Sequence, residues 1–219
     1  MKKFCLKHGP ILLLFGAILL FVLRNYIIIA FSDPVDVFAG EVNNASEIKA
    51  GMAIDTDVSI LLDCFATKET KSKRGSTTGK NYYYIMPVYV GEEVYYVAFD
   101  GGDEKADLVT YDRMVDETLN YFTMRGDTLG TYSVRRSGGL TKLEKEAYGY
   151  MVDWFENNEW FENDADIDKY VLPLVFEKVS NKSTKNMFYI FAGVTVLGLI
   201  MTIIGVSSKF SKKNEDVVQ

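Results

Sequence analysis

Residues 187–206, MFYIFAGVTVLGLIMTIIGV, hold no charged side chain, and a helix of about 20 such residues crosses the hydrocarbon core of a bilayer. Lipid offers the backbone no hydrogen-bond partners, so a single apolar segment crosses it as a helix. A second apolar run, residues 11–31, lies near the other end of the chain. The stretch between the two is therefore tied to the membrane twice. The plan this predicts is a cytoplasmic N-terminus (1–10), transmembrane helix 1 (11–31), an extracytoplasmic domain (32–186), transmembrane helix 2 (187–206) and a cytoplasmic tail (207–219). The middle segment falls within the size range of one domain.

The first run can be read in two ways. MKKFCLKHGP before ILLLFGAILLFVL has the charge pattern of a signal peptide, and Ala30-Phe31-Ser32 has small residues at cleavage spacing. However, the apolar stretch resumes as YIIIAF after Arg24, and that position lies well beyond a normal apolar core of a signal. The run therefore reads as an uncleaved anchor. No cysteine stands directly after it, so lipoprotein attachment is not expected. Arg24 is close enough to the outer end to extend its guanidinium to the membrane interface. Alternatively, the helix stops near Arg24 and residues 25–31 lie at that interface. Lys2, Lys3 and Lys7 precede the run while Asp33 and Asp36 follow it. The positive-inside rule then places both termini in the cytoplasm and the domain outside, at the cell membrane.

Net charge is −6, unevenly divided. Residues 1–31 carry +4 and residues 187–219 carry +1, which leaves −11 on the middle segment. Such a domain repels phosphate backbones, so no nucleic-acid partner is expected. Cysteine and histidine are scarce. Cys5 precedes the first run and Cys64 lies in the middle, so the bilayer separates them and no intrachain disulfide forms. The only histidine is His8. A domain with one thiol and no imidazole is closed to Ser-His-Asp and Cys-His catalysis and to the usual zinc sites. No catalytic, metal-binding or cofactor-binding residue is assigned, and no cofactor is expected.

Secondary structure is legible from residue 57 onward. Val58, Ile60, Leu62, Cys64 and Ala66 alternate with their neighbours as a strand does, which makes Cys64 a small buried hydrophobe. TKETKSKRGSTTGK (67–80) reads as a long hairpin loop. Lys68, Lys71, Lys73, Arg74 and Lys80 within it either contact an anionic surface, lipid or cell-wall polymer, or simply face water. Its glycines lack the Gly-Lys-Ser/Thr ending of a phosphate loop. Residues 82–90 and 94–99, rich in tyrosine and valine, form a tight hairpin across Gly91-Glu92-Glu93. Pro87 points to an edge or a bulge. The tyrosines suit either a stacking platform or a half-buried face.

Beyond the hairpin, Asp100-Gly-Gly-Asp103 offers an N-cap. Leu108, Tyr111, Val115, Leu119 and Phe122 mark one face of a helix that stops near Gly126. Residues 128–136 read as a strand. Thr141 and Glu144 form a capping box for a second helix with Leu143, Ala147, Met151 and Trp154 inward. Asp164, Asp166 and Asp168 alternate as in a calcium loop, but Lys169 replaces the glycine and Val175 the glutamate that such a loop requires, so an acidic loop is expected. Residues 170–179 are apolar enough to return to the core. In the second membrane run, Thr195, Gly198, Thr202 and Gly205 align small residues on one stripe. That stripe is expected to pack against the first helix or a second copy, giving a protein partner or self-association alongside contact with membrane lipid.

Phe65-Ala66-Thr67 at a strand end, the basic linker, YYYIMPV at 82–88 and the terminal membrane helices together resemble a group of uncharacterised two-pass membrane proteins of Gram-positive gut bacteria, a family defined by a domain of unknown function. The resemblance implies no activity and carries over no functional residue. In architecture the chain is also similar to domains set between two membrane helices in some organelle ubiquitin ligases, though it has no zinc-binding RING. The fold expected is α+β, mainly antiparallel sheet with two packed helices, flanked by N- and C-terminal transmembrane helices. Its role is expected to be binding, sensing or scaffolding. The competing expectation is a tethered hydrolase that uses paired carboxylates, or Ser46 and Lys49 of an S-x-x-K match that lacks its companion motifs. Arg125-Gly126-Asp127 matches an integrin-binding tripeptide of the length that arises by chance.

Overall fold

The computed structural model describes residues 2–71 and 77–215. The chain divides at residues 31/32 and 179/180 into two units. The first holds α1 (Lys2–Val22), α2 (Arg24–Phe31) and α6 (Asn181–Glu215), with helices numbered in chain order. Phe4–Val22 and Asn181–Ser207 are long and apolar enough to cross a membrane. The first of these starts earlier than the run 11–31 because α1 already begins at Lys2, and it stops earlier because the helix is interrupted at Leu23. Arg24 becomes the opening residue of α2, its guanidinium carbon 5.0 Å from the centre of the Phe21 ring.

The two long helices run antiparallel and touch at backbone distance. A Cβ added to Gly9 would lie 2.6 Å from the nitrogen of Thr202, and one on Gly205 would lie 2.7 Å from the Cα of Leu6. Added Cβ atoms on Gly16 and Gly198 would overlap Thr195 Oγ1 and the nitrogen of Leu13. The stripe of Thr195, Gly198, Thr202 and Gly205 thus meets α1 of the same chain, and α1 answers with its own glycines. Lipid tails are as apolar as leucine, so close packing of small residues is what favours such a contact. Both threonine hydroxyls donate to their own helix, Thr195 to the carbonyl of Phe191 at 2.8 Å and Thr202 to that of Gly198 at 2.7 Å. Each polar atom is satisfied without a cross-helix partner. At the opposite end of the pair, Phe31 packs edge-on against Phe188 at 5.2 Å, and the Lys185 ammonium lies 5.2 Å from the same ring.

In the second unit, six strands form one sheet in the order β1-β5-β6-β4-β3-β2. They are β1 (Ala53–Val58), β2 (Cys64–Lys71), β3 (Thr77–Val90), β4 (Glu93–Asp100), β5 (Val134–Lys142) and β6 (Val171–Lys178). All neighbours are antiparallel except β4 and β6. Three helices accompany them: α3 (Lys105–Phe122), α4 (Lys145–Asn157) and α5 (Asp164–Tyr170). The fold is α+β with a mostly antiparallel sheet, as expected, but with helices on both faces. Tyr84, Met86, Val88, Tyr95, Val97, Phe99, Leu174 and Phe176 join one core with Tyr111, Met114 and Val115 of α3. Their neighbours Ile85, Tyr96, Ala98 and Val175 join the other, with Met151 and Phe155 of α4 and Ile167 of α5. Strands covered on both sides read as continuous apolar runs, and YYYIMPVYV is one.

The expected strand through residues 57–67 is two strands. β1 ends at Val58 and β2 begins at Cys64, at opposite ends of the strand order. Six residue steps reach at most about 22 Å, whereas five flat strand spacings span about 24 Å. The sheet must therefore curl to bring its margins toward each other. Leu61 and Leu62 in the connection are both buried, one in each core, which is why their alternation imitated a strand. The expected loop 67–80 is mostly ladder. Lys68 pairs with Asn81, Glu69 with Lys80 and Lys71 with Thr77. The turn at Gly91-Glu92 is as tight as predicted, with Gly91 at φ +60°. Pro87 does lie on an edge: Ile85 exchanges backbone bonds with Leu62 and Asp63, so by alternation the proline nitrogen faces the same margin, beyond the end of β2.

Further expectations fail for local reasons. The strand expected at 128–136 is β5, shifted to Val134–Lys142. Gly138 lies within it, where an added Cβ would overlap the carbonyl oxygen of Glu177 on β6. Thr141 lies in that strand and caps nothing; Glu144 is the N-cap of α4 and makes no side-chain capping bond. Glu104, not Asp100 or Asp103, precedes α3. The buried face of α3 is Tyr111, Met114, Val115 and Thr118, while Leu119 and Phe122 are 42% and 54% exposed. The acidic loop of 164–168 is the helix α5.

Gly198→Leu should push the long helices apart, whereas Gly193→Leu, where nothing lies within 4 Å of an added Cβ, should not. The distance between spin labels at Phe15→Cys and Val196→Cys, in a Cys5→Ser, Cys64→Ser background, reads the difference. In the sheet unit, Phe155→Ala removes a fully buried ring and should cost about 3–5 kcal/mol in denaturant unfolding.

Candidate functional site

The face of the sheet that carries α4 is apolar where the helix covers it and polar just beyond. Ile85, Ala98 and Val175 lie on this face, so the pleat turns Asn81, Tyr83, Asp100 and Glu177 the same way. Lys68 is registered with Asn81, and Tyr83 with Asp100. Asp100 and Glu177 each stand one step past the parallel pair Phe99 and Phe176. Thr141 on β5 is registered with Val175. Lys68, Asn81, Asp100, Glu177 and Thr141 therefore form a polar stripe across five adjacent strands, β2, β3, β4, β6 and β5.

The stripe is held by its own hydrogen bonds. Asn81 Nδ2 donates to Asp100 Oδ2 at 3.2 Å, and the backbone N–H of Gly102 donates to Asp100 Oδ1 at 2.9 Å. Thr141 Oγ1 donates to Glu177 Oε1 at 2.6 Å. Lys68 Nζ reaches Glu144 Oε1 at the start of α4, at 2.5 Å. Two hollows flank the stripe. One, of about 230 Å³, is lined by Lys68, Tyr83, Glu144, Glu146, Ala147 and Tyr150 together with Ala66 and Thr67. The other, of about 150 Å³, opens where β4 and β6 end and is lined by the loop from Asp100 to Glu104, with Arg136, Glu177 and Lys178. Gly101 is required there, because a Cβ would come within 2.9 Å of the Tyr84 ring. Arg136 is fixed by the hydroxyl of Tyr111 at 2.9 Å and by the Asp107 carboxylate.

Burial shifts the acids and phenols of this region. Desolvation raises the Asp100 carboxyl above its ordinary range, reinforced by the nearby Glu177 and opposed by the hydrogen bonds from Gly102 and Asn81. Tyr83 is raised mainly by burial and then by the charge of Asp100. The hydrogen bond to Glu144 raises the Lys68 ammonium and keeps it charged.

Of the basic residues predicted to contact an anionic surface, Lys68 is paired with Glu144 and Lys80 with Glu69 at 2.9 Å. Lys71 ends β2, and Lys73 and Arg74 lie outside the described residues. Ser46 and Lys49 are both exposed, Ser46 within the 3-10 turn Ala45–Glu47, and neither lines the two hollows. Among the described residues, no group of three His, Cys, Asp or Glu side chains could hold a metal ion. Cys64 is half-buried, and its thiol is pushed up by desolvation and by the charge of Asp63. Sequence reasoning missed Tyr150 and Glu177, left Tyr83 among tyrosines suited to a stacking platform or a half-buried face, and assigned Asp100 and Glu144 to caps. The available signal was a polar residue closing an apolar strand, as Asp100 does in EVYYVAFD and Glu177 in VLPLVFEK.

Residues 1–208 match a family described as Domain of unknown function (DUF8577). The chain belongs to that family. The DUF8577 match runs through α1, the whole sheet unit and most of α6, so both apolar helices lie within it. No curated protein and no solved structure matches the chain.

Asp100 holds its proton more tightly when folded than when unfolded, so stability falls as pH rises from its ordinary 3.8 through the raised folded value. Asp100→Asn keeps an acceptor for Gly102 and removes that titration. Its unfolding free energy, followed against pH, should lose the decline across this window and exceed that of the parent at neutral pH.

Proposed function

We propose that this DUF8577 protein is a two-pass protein of the cell membrane that displays its sheet domain outside the cytoplasm as a binding module. Three features support the membrane placement. The long helices are antiparallel, so the start of α1 and the end of α6 share a side. Lys2, Lys3 and Lys7 mark that side as cytoplasmic. Phe31, Phe188, Tyr189 and Lys185 gather at the other end of the pair, as interfacial aromatic and basic residues do. Arg24 belongs to the same outer interface, following the helix interruption at Leu23. Lipid is a partner of both helices. A second copy would have to use a surface other than the small-residue stripe, which α1 already occupies.

The observation that carries the binding role is the polar stripe beside an otherwise filled core. Its donors and acceptors are preset by one another and stand next to a hollow large enough for a small ligand. One observation favours a tethered hydrolase instead, the raised carboxyl of Asp100 next to Glu177. Acid catalysis by that pair would require Asp100→Asn to abolish turnover of a substrate that still binds.

The sidedness test uses Met124, which is 95% exposed on the sheet unit. In a Cys5→Ser, Cys64→Ser background, Met124→Cys should react with a membrane-impermeant maleimide in intact cells. Labelling only after lysis would place the domain in the cytoplasm and overturn the reading.

A further inference from the structure

We infer that the hollow between β2, β3 and the start of α4 is a saccharide-binding site, with Tyr83 and Tyr150 as ring contacts and Lys68, Glu144 and Glu146 as hydrogen-bonding groups. The inference deepens the binding role proposed above and rests on it. Its size sets the first limit: drug-sized ligands occupy about 300–1,000 Å³, so a hollow of about 230 Å³ takes a single ring rather than a nucleotide.

Chemistry narrows the class further. Anions are disfavoured, because among the described residues two carboxylates line the hollow and its ammonium, Lys68, is already paired with Glu144. A wholly apolar ligand would strip water from Lys68, Glu144 and Glu146 without replacing its hydrogen bonds, at a cost of several kcal/mol per group on the order of that for buried unpaired polar atoms. Glu146 is engaged locally, with the Tyr150 hydroxyl donating to its Oε1 at 3.1 Å. Sugar hydroxyls both donate and accept. They can donate to the open lone pairs of Glu144 and Glu146 and accept from Lys68, while the C–H face of a pyranose lies on a phenol ring.

The stripe extends the site beyond one ring. Asn81, Asp100 and Glu177 continue the hydrogen-bonding groups across β3, β4 and β6 on the same face, and the buried Thr141 of β5 holds Glu177 in place. An oligosaccharide chain lying across β3, β4 and β6 would meet one such group at each of these strands, spaced by about 4.8 Å.

The test is saturation-transfer NMR and titration of the full chain in nanodiscs with cellotetraose, maltotetraose, mannotetraose and chitotetraose, and with a heparin tetrasaccharide as the sulfated control. The assay does not depend on which side of the membrane the domain occupies, so its failure is distinct from failure of the topology. At least one neutral oligosaccharide should bind saturably while heparin does not. Tyr150→Ala, at an exposed position, should weaken binding by about three- to tenfold, the scale of one ring contact. Glu146→Gln should weaken it as well, and Tyr132→Ala, an exposed tyrosine of another hollow, should leave it unchanged. The inference is overturned if none of the four binds, if heparin binds better than all of them, or if Tyr150→Ala binds as the parent does.

Discussion

The parallel contact between β4 and β6 is the constraint on which the sheet unit depends. Parallel neighbours cannot be joined by a tight turn, so the chain leaving β4 must travel through α3, β5, α4 and α5 before β6 can lie beside it. That excursion covers the sheet on both faces, with α3 on one side and α4 with α5 on the other. It also brings the ends of the two strands together. Asp100 and Glu177, far apart in sequence, become neighbours, and the loop that follows Asp100 must be glycine because the rings of Tyr84 and Tyr111 occupy the adjoining space. Covering both faces leaves little room for polar groups. Those that remain gather at the margin of α4, where the helix begins and the strands continue past it.

The unit of long apolar helices follows a different logic. Between lipid-immersed helices there is no water to expel, so contact is favoured by the fit of one backbone against the other. Glycines on both helices supply it: Gly9 and Gly16 face threonines of α6, while Gly198 and Gly205 face the backbone of α1. The threonines do not compete for partners across the interface, since each bonds one turn back along its own helix. Most of the large apolar side chains, such as Phe15, Ile18, Ile200 and Ile203, are left facing outward. That distribution reverses the one in the sheet unit, where Phe155, Phe176 and Tyr84 are inside.

The parts of the fold that were legible in advance are those governed by local rules. The apolar helices, the β3–β4 hairpin across Gly91, the edge position of Pro87 and the return of residues 170–179 to the core all follow from neighbours in sequence. Where expectation failed, a distant contact had overridden a local rule. The strand expected at 128–136 was placed too early because nothing nearby indicates that Gly138 will lie against Glu177 of β6. Thr141 and Glu144 matched a capping box, yet Thr141 is drawn into a strand to bond Glu177 and Glu144 turns to Lys68. Leu61 and Leu62 serve two cores on opposite sides of the sheet, which alternation alone cannot distinguish from a strand.

The amino-acid sequence by itself determined that two apolar helices bracket one domain, that this domain lacks imidazole and carries a single thiol, and that small residues align on α6. These are properties of composition and short-range spacing, and no partner is needed to define them. Only the tertiary structure decided that the stripe on α6 faces α1, that the sheet curls, and that Lys68, Asn81, Asp100, Glu177 and Thr141 fall into one row. The physical reason is that strand order and register are set by long-range pairing and by which face each helix covers. A polar residue at a strand end acquires a neighbour only when those pairings are made.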